Sequence, residues 1–141
     1  MATPPTSLIL PRTLARAFST LARGLTYRSE SDYPYEPFAA PFARDRPLQA
    51  EEFRDAARIG RRYQIRVDSA EPFFERQIHP ADGYDDSVPQ YVLLKRVMEA
   101  TLDELSLLRV GGEAVVRVRV YLVGKMDDGN LSGLSSVSIE T

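Results

Sequence analysis

Few side chains in this sequence could carry out chemistry. The chain has no cysteine, which excludes disulfides, thiolate zinc sites and a cysteine nucleophile. His79 is the only histidine, so a two-histidine metal site is excluded and a serine nucleophile would have one candidate base. Asp85 and Asp86 are adjacent acids in a polar loop, but neither a histidine nor a further metal ligand flanks them directly. An enzyme is therefore the least favoured class.

Composition points to a protein that binds another protein. Eighteen basic and twenty acidic residues give a formal net charge of −2, which disfavours direct binding to a phosphate backbone. The length of 141 residues suits one domain, and we expect a monomer that folds without cofactor, metal or disulfide. We assign residues 1–10 to a flexible lead-in and residues 11–141 to the domain. No apolar run approaches the roughly 20 residues needed to cross a bilayer, so we expect a cytoplasmic protein.

Residues 1–24 have two interpretations. They contain three arginines, several hydroxyl side chains and no acid, a composition typical of organelle transit peptides. They also carry one apolar stripe with a spacing of three and four residues, formed by Leu14, Ala17, Phe18, Leu21 and Leu25. Pro11 before this stripe and Gly24 near its end are start and stop signals, which favour a first helix.

The front half of the chain alternates between helix and strand signals. Aromatic residues interrupted by Pro34 and Pro37 indicate an irregular or edge strand within residues 27–38. Residues 49–58 have the pattern of a short helix, and residues 63–67 alternate as a half-buried strand does.

The back half contains the strongest periodic signals. Ser87 precedes a run of apolar residues with helical spacing that extends to Leu105, which predicts a long helix. Within residues 113–123, the apolar residues at 116, 118, 120 and 122 alternate with Arg117, Arg119 and Tyr121, which predicts a strand. A turn at residues 127–130 separates it from a second strand at residues 134–141. These signals predict an α+β fold with helices packed on a sheet and a C-terminal antiparallel hairpin.

Two segments go beyond general folding signals. They are SESDYPYE at residues 29–36 and GNLSGLSSVSIET at residues 129–141. Both resemble the nuclease A inhibitor family, whose members are small intracellular proteins that block sugar-nonspecific, metal-dependent endonucleases. The Phe-Phe pair at residues 73–74 and the long helix before the hairpin also match the family's order of elements. The resemblance implies a three-layer α/β/α sandwich with a mixed, largely antiparallel sheet, and it makes residues 13–23 a structural helix.

The resemblance also implies a binding mode. In the family the terminal threonine reaches the metal of the nuclease, and Thr141 stands at the matching place. A hard divalent cation takes oxygen ligands, and a terminal threonine offers a carboxylate and a hydroxyl. Glu30 matches the family's other anionic contact, which would replace a phosphate and meet basic groups of the enzyme. Asp82 offers a further charge. The implied partner is a protein, with no direct contact to nucleic acid or membrane.

One loop departs from the family pattern. The family carries a tryptophan directly before the tyrosine of this loop, whereas here Gly83 precedes Tyr84. Buried aromatic residues are frequent interface anchors, so this difference affects either affinity or the choice of partner. It motivates a second hypothesis, a non-catalytic binding module of the same fold with a different protein partner. Arg117 and Arg119 add a basic stripe, most simply a solvent-facing side of a strand.

Overall fold

The computed structural model describes residues 8–29, 32–81, 83, 85–112 and 117–140. Its helices are α1 (Ile9–Leu21), α2 (Ala50–Ala57), α3 (Glu71–Ile78) and α4 (Val88–Thr101). Its strands are β1 (Thr26–Tyr27), β2 (Tyr33–Pro34), β3 (Glu36–Ala40), β4 (Gln64–Ser69), β5 (Asp103–Gly111), β6 (Arg117–Lys125) and β7 (Leu131–Ile139). The predicted α+β class is confirmed. None of these helices has both the length and the apolar character that a membrane crossing needs.

Five of the strands form one sheet in the order β3-β7-β6-β5-β4, and β1 and β2 form a separate pair. The C-terminal hairpin is confirmed, since β6 and β7 pair from Arg117↔Ile139 to Lys125↔Leu131. The mixed character expected of the sheet is absent from the described strands, because all four pairings are antiparallel. The expected edge strand is β3, where Pro37 lacks the N–H that a central strand would use.

Apolar clusters cover both faces of the five-stranded sheet. Leu107 and Leu108 are neighbours on β5, and consecutive residues of a strand point to opposite faces. Leu107 belongs to a cluster that contains Phe18 of α1 and the buried residues of α3 and α4. Leu108 belongs to a second cluster around Phe53 of α2. Apolar clusters that include helix residues thus contact both faces of β5.

The helix predicted to reach Leu105 is shorter, and the strand that follows it was missed. Helix α4 ends at Thr101, and β5 begins at Asp103. Because both faces of β5 are covered, its middle is a continuous buried run instead of an alternating one. Such a run carries no strand period, and Leu105 happens to continue the helical spacing.

Helix α1 starts earlier than predicted, at Ile9, inside the segment assigned to the lead-in. Pro11 lies in its first turn, where a missing N–H costs nothing because those groups have no intrahelical acceptor. Phe18 is fully buried, and the Ser132 hydroxyl of β7 donates a 2.8 Å hydrogen bond to the Pro11 carbonyl. The helix is therefore an integral part of the fold. Residues 1–7 lie outside the described part of the chain.

Gly133 explains part of the glycine-serine motif. A Cβ at this position would lie 2.1 Å from the Leu122 carbonyl oxygen and 2.7 Å from the Val123 Cα. Both atoms belong to the backbone of β6, which cannot move aside without opening the sheet. Glycine is thus required here by the close approach of two strands.

Candidate functional site

The side chains assigned to partner binding, Glu30, Asp82 and Thr141, all lie outside the described residues. The structure therefore describes the residues next to them in the sequence and the contacts that anchor those neighbours, called their supports below. Each has close neighbours in sequence that are described, and contacts link these neighbours to one another across the fold.

The first contact joins the segment before Glu30 to the end of β7. The backbone N–H of Ile139 donates a 3.0 Å hydrogen bond to Ser29 Oγ. Ser29 directly precedes Glu30, and Ile139 stands two residues before Thr141. The two motifs noted in the sequence, at residues 29–36 and 129–141, are therefore joined by a hydrogen bond between Ser29 and Ile139.

The far side of the first motif is also attached to β7. Strands β1 and β2 pair through Tyr27↔Tyr33, so residues 28–32 connect the two strands of the small sheet. The Ser136 hydroxyl lies 3.1 Å from the Tyr33 carbonyl oxygen and 2.9 Å from that of Pro34. Ser136 is buried, so this serine serves to dock the small sheet and does not face solvent.

A second contact ties the loop that contains Asp82 to the same segment. Arg28 forms an ion pair with Asp85, whose other oxygen accepts a 2.8 Å hydrogen bond from the Ser87 backbone N–H. The Arg28 hydrogen bond, followed by those from Ser87, lowers the pKa of Asp85 from 3.8 to about 2. The same hydrogen bond raises the pKa of Arg28 above its usual range. Asp85, three residues after Asp82 in the sequence, is thus anchored to Arg28, two residues before Glu30.

The lowered pKa of Asp85 predicts a specific pH dependence. Because its pKa is lower in the folded than in the unfolded chain, ionised Asp85 stabilises the fold above about pH 4. That contribution should be lost as the pH falls from about 4 to about 2. We expect Asp85→Asn to lower the melting temperature at pH 7, with the difference from the parent disappearing near pH 2. Asp86→Asn removes a neighbouring exposed acid and is the matched control; an equal pH-dependent loss there would contradict the assignment.

A third contact holds the residue before Thr141. Arg109 on β5 forms an ion pair with Glu140, and its guanidinium also donates to the Tyr27 hydroxyl at 3.3 Å. The Tyr27 ring stacks in parallel on buried Phe73, with ring centroids 6.0 Å apart. Sequence reasoning missed Arg109, since its partners are 31 and 82 residues away and no local pattern signals such a pair.

Gly83 has a conformational requirement of its own. Its φ is +102°, in a region that residues with a side chain rarely adopt, although a Cβ at this position would meet no atom within 4 Å. A tryptophan at this position would therefore need a different backbone path.

The described residues give little support for catalysis or for metal binding by this protein. Within residues 8–29, 32–81, 83, 85–112 and 117–140, no group of three or more His, Asp or Glu side chains is arranged to hold a metal ion. His79 is exposed, with Glu75 3.9 Å away. A cavity of about 620 Å³ lies between α1, the end of α4 and the hairpin turn, lined mainly by apolar groups.

A family model described as nuclease A inhibitor-like protein matches residues 12–141. The chain belongs to this family. The match includes both motifs and almost all of α1, so the resemblance noted in the sequence is confirmed. A comparison with curated proteins found no match. Membership in the nuclease A inhibitor-like family implies a nuclease-inhibiting, non-catalytic role and a nuclease as the general kind of partner.

Proposed function

We propose that this member of the nuclease A inhibitor-like family binds and blocks the active site of a metal-dependent, sugar-nonspecific endonuclease. Thr141 at the C-terminus would contact the metal of the nuclease, and Glu30 and Asp82 would contact basic groups around it. The observation that carries the proposal is the hydrogen bond from Ile139 to Ser29, which joins the Glu30 segment to the strand that leads to Thr141.

The chemistry of blocking follows from the ligands that such a nuclease holds. A hard divalent cation prefers oxygen ligands and takes them from the scissile phosphate during catalysis. The α-carboxylate and hydroxyl of Thr141 would offer oxygens to the same metal, and Glu30 would supply the negative charge of a neighbouring phosphate. Substrate would then be excluded without any turnover of the inhibitor.

The supports described above favour tight binding. The Ser29–Ile139, Arg28–Asp85 and Arg109–Glu140 contacts each tie down a residue within three positions of one assigned contact. Restricting these segments before binding reduces the conformational entropy lost in the complex. A rigid sheet would thus present three short segments together.

The direct test is a titration of purified sugar-nonspecific endonucleases with this protein in magnesium. We expect cleavage of DNA and RNA to fall together, with an endpoint near one inhibitor per nuclease, because both substrates use one active site. A metal-independent ribonuclease is the control and should keep its activity. Full activity of every metal-dependent nuclease at micromolar inhibitor would argue against the proposal.

A second candidate is a non-catalytic binding module of the same fold with a different protein partner. The glycine-specific backbone at Gly83 favours it, because the loop would present a surface unlike that of a tryptophan-bearing relative. A pull-down from the native host separates the two candidates. Recovery of a metal-dependent nuclease supports inhibition, whereas consistent recovery of another protein, independent of Thr141, supports the module.

A further inference from the structure

Glu140 follows directly after β7 and is the last residue that the structure describes. The final pairing of β7 is Arg117↔Ile139, and Glu140 lies beyond the strand, with its side chain 44% exposed. Within the described part of the chain, Glu140 has no ladder partner. The side chain of Glu140 forms an ion pair with Arg109. Arg109 lies on β5, two strands away from β7 in the order of the sheet.

The side chain of Arg109 is itself anchored by its contacts. Its side chain is 26% exposed and contacts the Tyr27 hydroxyl, while Tyr27 stacks on Phe73 in the core. Its neighbour across the β4–β5 ladder is Arg66, a like charge that would be repulsive alone. Arg66 has its own partner in Asp68 at 3.2 Å, which leaves Arg109 to Glu140.

We propose that Arg109 is a positioning residue: by holding Glu140, it restricts the backbone that leads to Thr141 before a nuclease binds. The inference rests on the proposed function, because it concerns the delivery of Thr141 to the metal of a nuclease. A terminal residue that swings freely must be ordered on binding, at a cost in conformational entropy. Because the Arg109–Glu140 pair already restricts this segment in the free protein, less conformational entropy is lost on binding. Arg109 therefore acts through Glu140 without touching the nuclease.

A double-mutant cycle tests this mechanism in the full chain. Arg109→Gln and Glu140→Gln should each weaken inhibition of the nuclease by about two- to fivefold, the range for one partly exposed ion pair. The double variant should be no weaker than either single variant, since both remove the same pair. Arg109→Lys, which keeps the charge, should retain part of the effect. Arg119→Gln is the matched control, an exposed arginine on the adjacent strand.

A second readout needs no nuclease. Release of Thr141 by a carboxypeptidase from the free protein should be faster in both glutamine variants than in the parent or in Arg119→Gln. Glu140→Gln changes only an exposed side chain, so it keeps the test informative if Arg109→Gln loses stability. Unchanged inhibition in Glu140→Gln would overturn the inference, as would fully additive losses in the double variant, which indicate that Arg109 contacts the nuclease directly.

The two proposals fail in different ways. Undiminished inhibition by a chain lacking Thr141 would overturn the proposed function, and the positioning role with it. A chain that loses inhibition without Thr141, yet inhibits normally as Glu140→Gln, would retain the proposed function and overturn only the role of Arg109.

Discussion

A chain extended by several residues beyond Thr141 is expected to fold as the parent does and to inhibit the nuclease about 30-fold less, or weaker still. The extension converts the terminal carboxylate into a peptide group and removes a charged oxygen ligand from the metal. Folding should survive, because the buried part of β7 ends at Ser138 and the extension begins only beyond Thr141. The measurement is nuclease activity in magnesium, alongside thermal melts.

Three related variants make this test specific. The same extension placed at the N-terminus controls for bulk and should leave inhibition intact. Deletion of Thr141 should weaken inhibition as the C-terminal extension does, whereas Thr141→Ser keeps both oxygen groups and should be the mildest change. A C-terminally extended protein that inhibits as well as the parent would exclude binding of the metal through the chain end, even though the family assignment would stand.

Glu30→Ala should produce a loss of similar size, about 2 to 5 kcal/mol in binding free energy, if the carboxylate meets a desolvated basic group of the nuclease. Glu30 belongs to the polar sequence SESD and not to an apolar stripe, so the melting temperature should stay close to that of the parent. A dissociation constant measured by calorimetry is the direct readout.

Asp32→Ala is the matched control for Glu30, since it removes an exposed acid from the same segment. It should change the dissociation constant by much less. Equal losses in the two variants would mean that the segment contributes only general negative charge, and an unchanged constant for Glu30→Ala would make Glu30 an ordinary surface acid.

The sequence supports most of the fold because most elements have a local signal. The apolar stripe of α1, the proline-marked edge strand β3 and the alternation within β6 and β7 all correspond to elements of the structure. Strand β5 was missed because a strand covered on both faces has no period to detect. The family, too, was recognised from the two motifs alone, and the match over residues 12–141 confirms it.

Local pattern was misleading where burial depends on distant partners. The serines of the last strand have the spacing of a solvent-facing side, yet Ser132 and Ser136 are buried. Ser132 contacts α1, and Ser136 contacts the small sheet, so each hydroxyl has an acceptor contributed by a distant part of the chain. Nothing in the alternation of β7 could reveal that these partners cover it.

The sequence by itself determined which residues are candidates for partner contact: a threonine at the chain end, and acids in two polar loops. Only the tertiary structure decided that their supports lie together. Ser29 meets Ile139 across 110 positions, Arg28 meets Asp85 across 57, and Arg109 meets Glu140 across 31. Sequence periodicity reflects contacts between residues close in the chain, within one helical turn or one strand. These three contacts depend instead on strand order and register, which are fixed only when the sheet assembles and packs against its two apolar clusters.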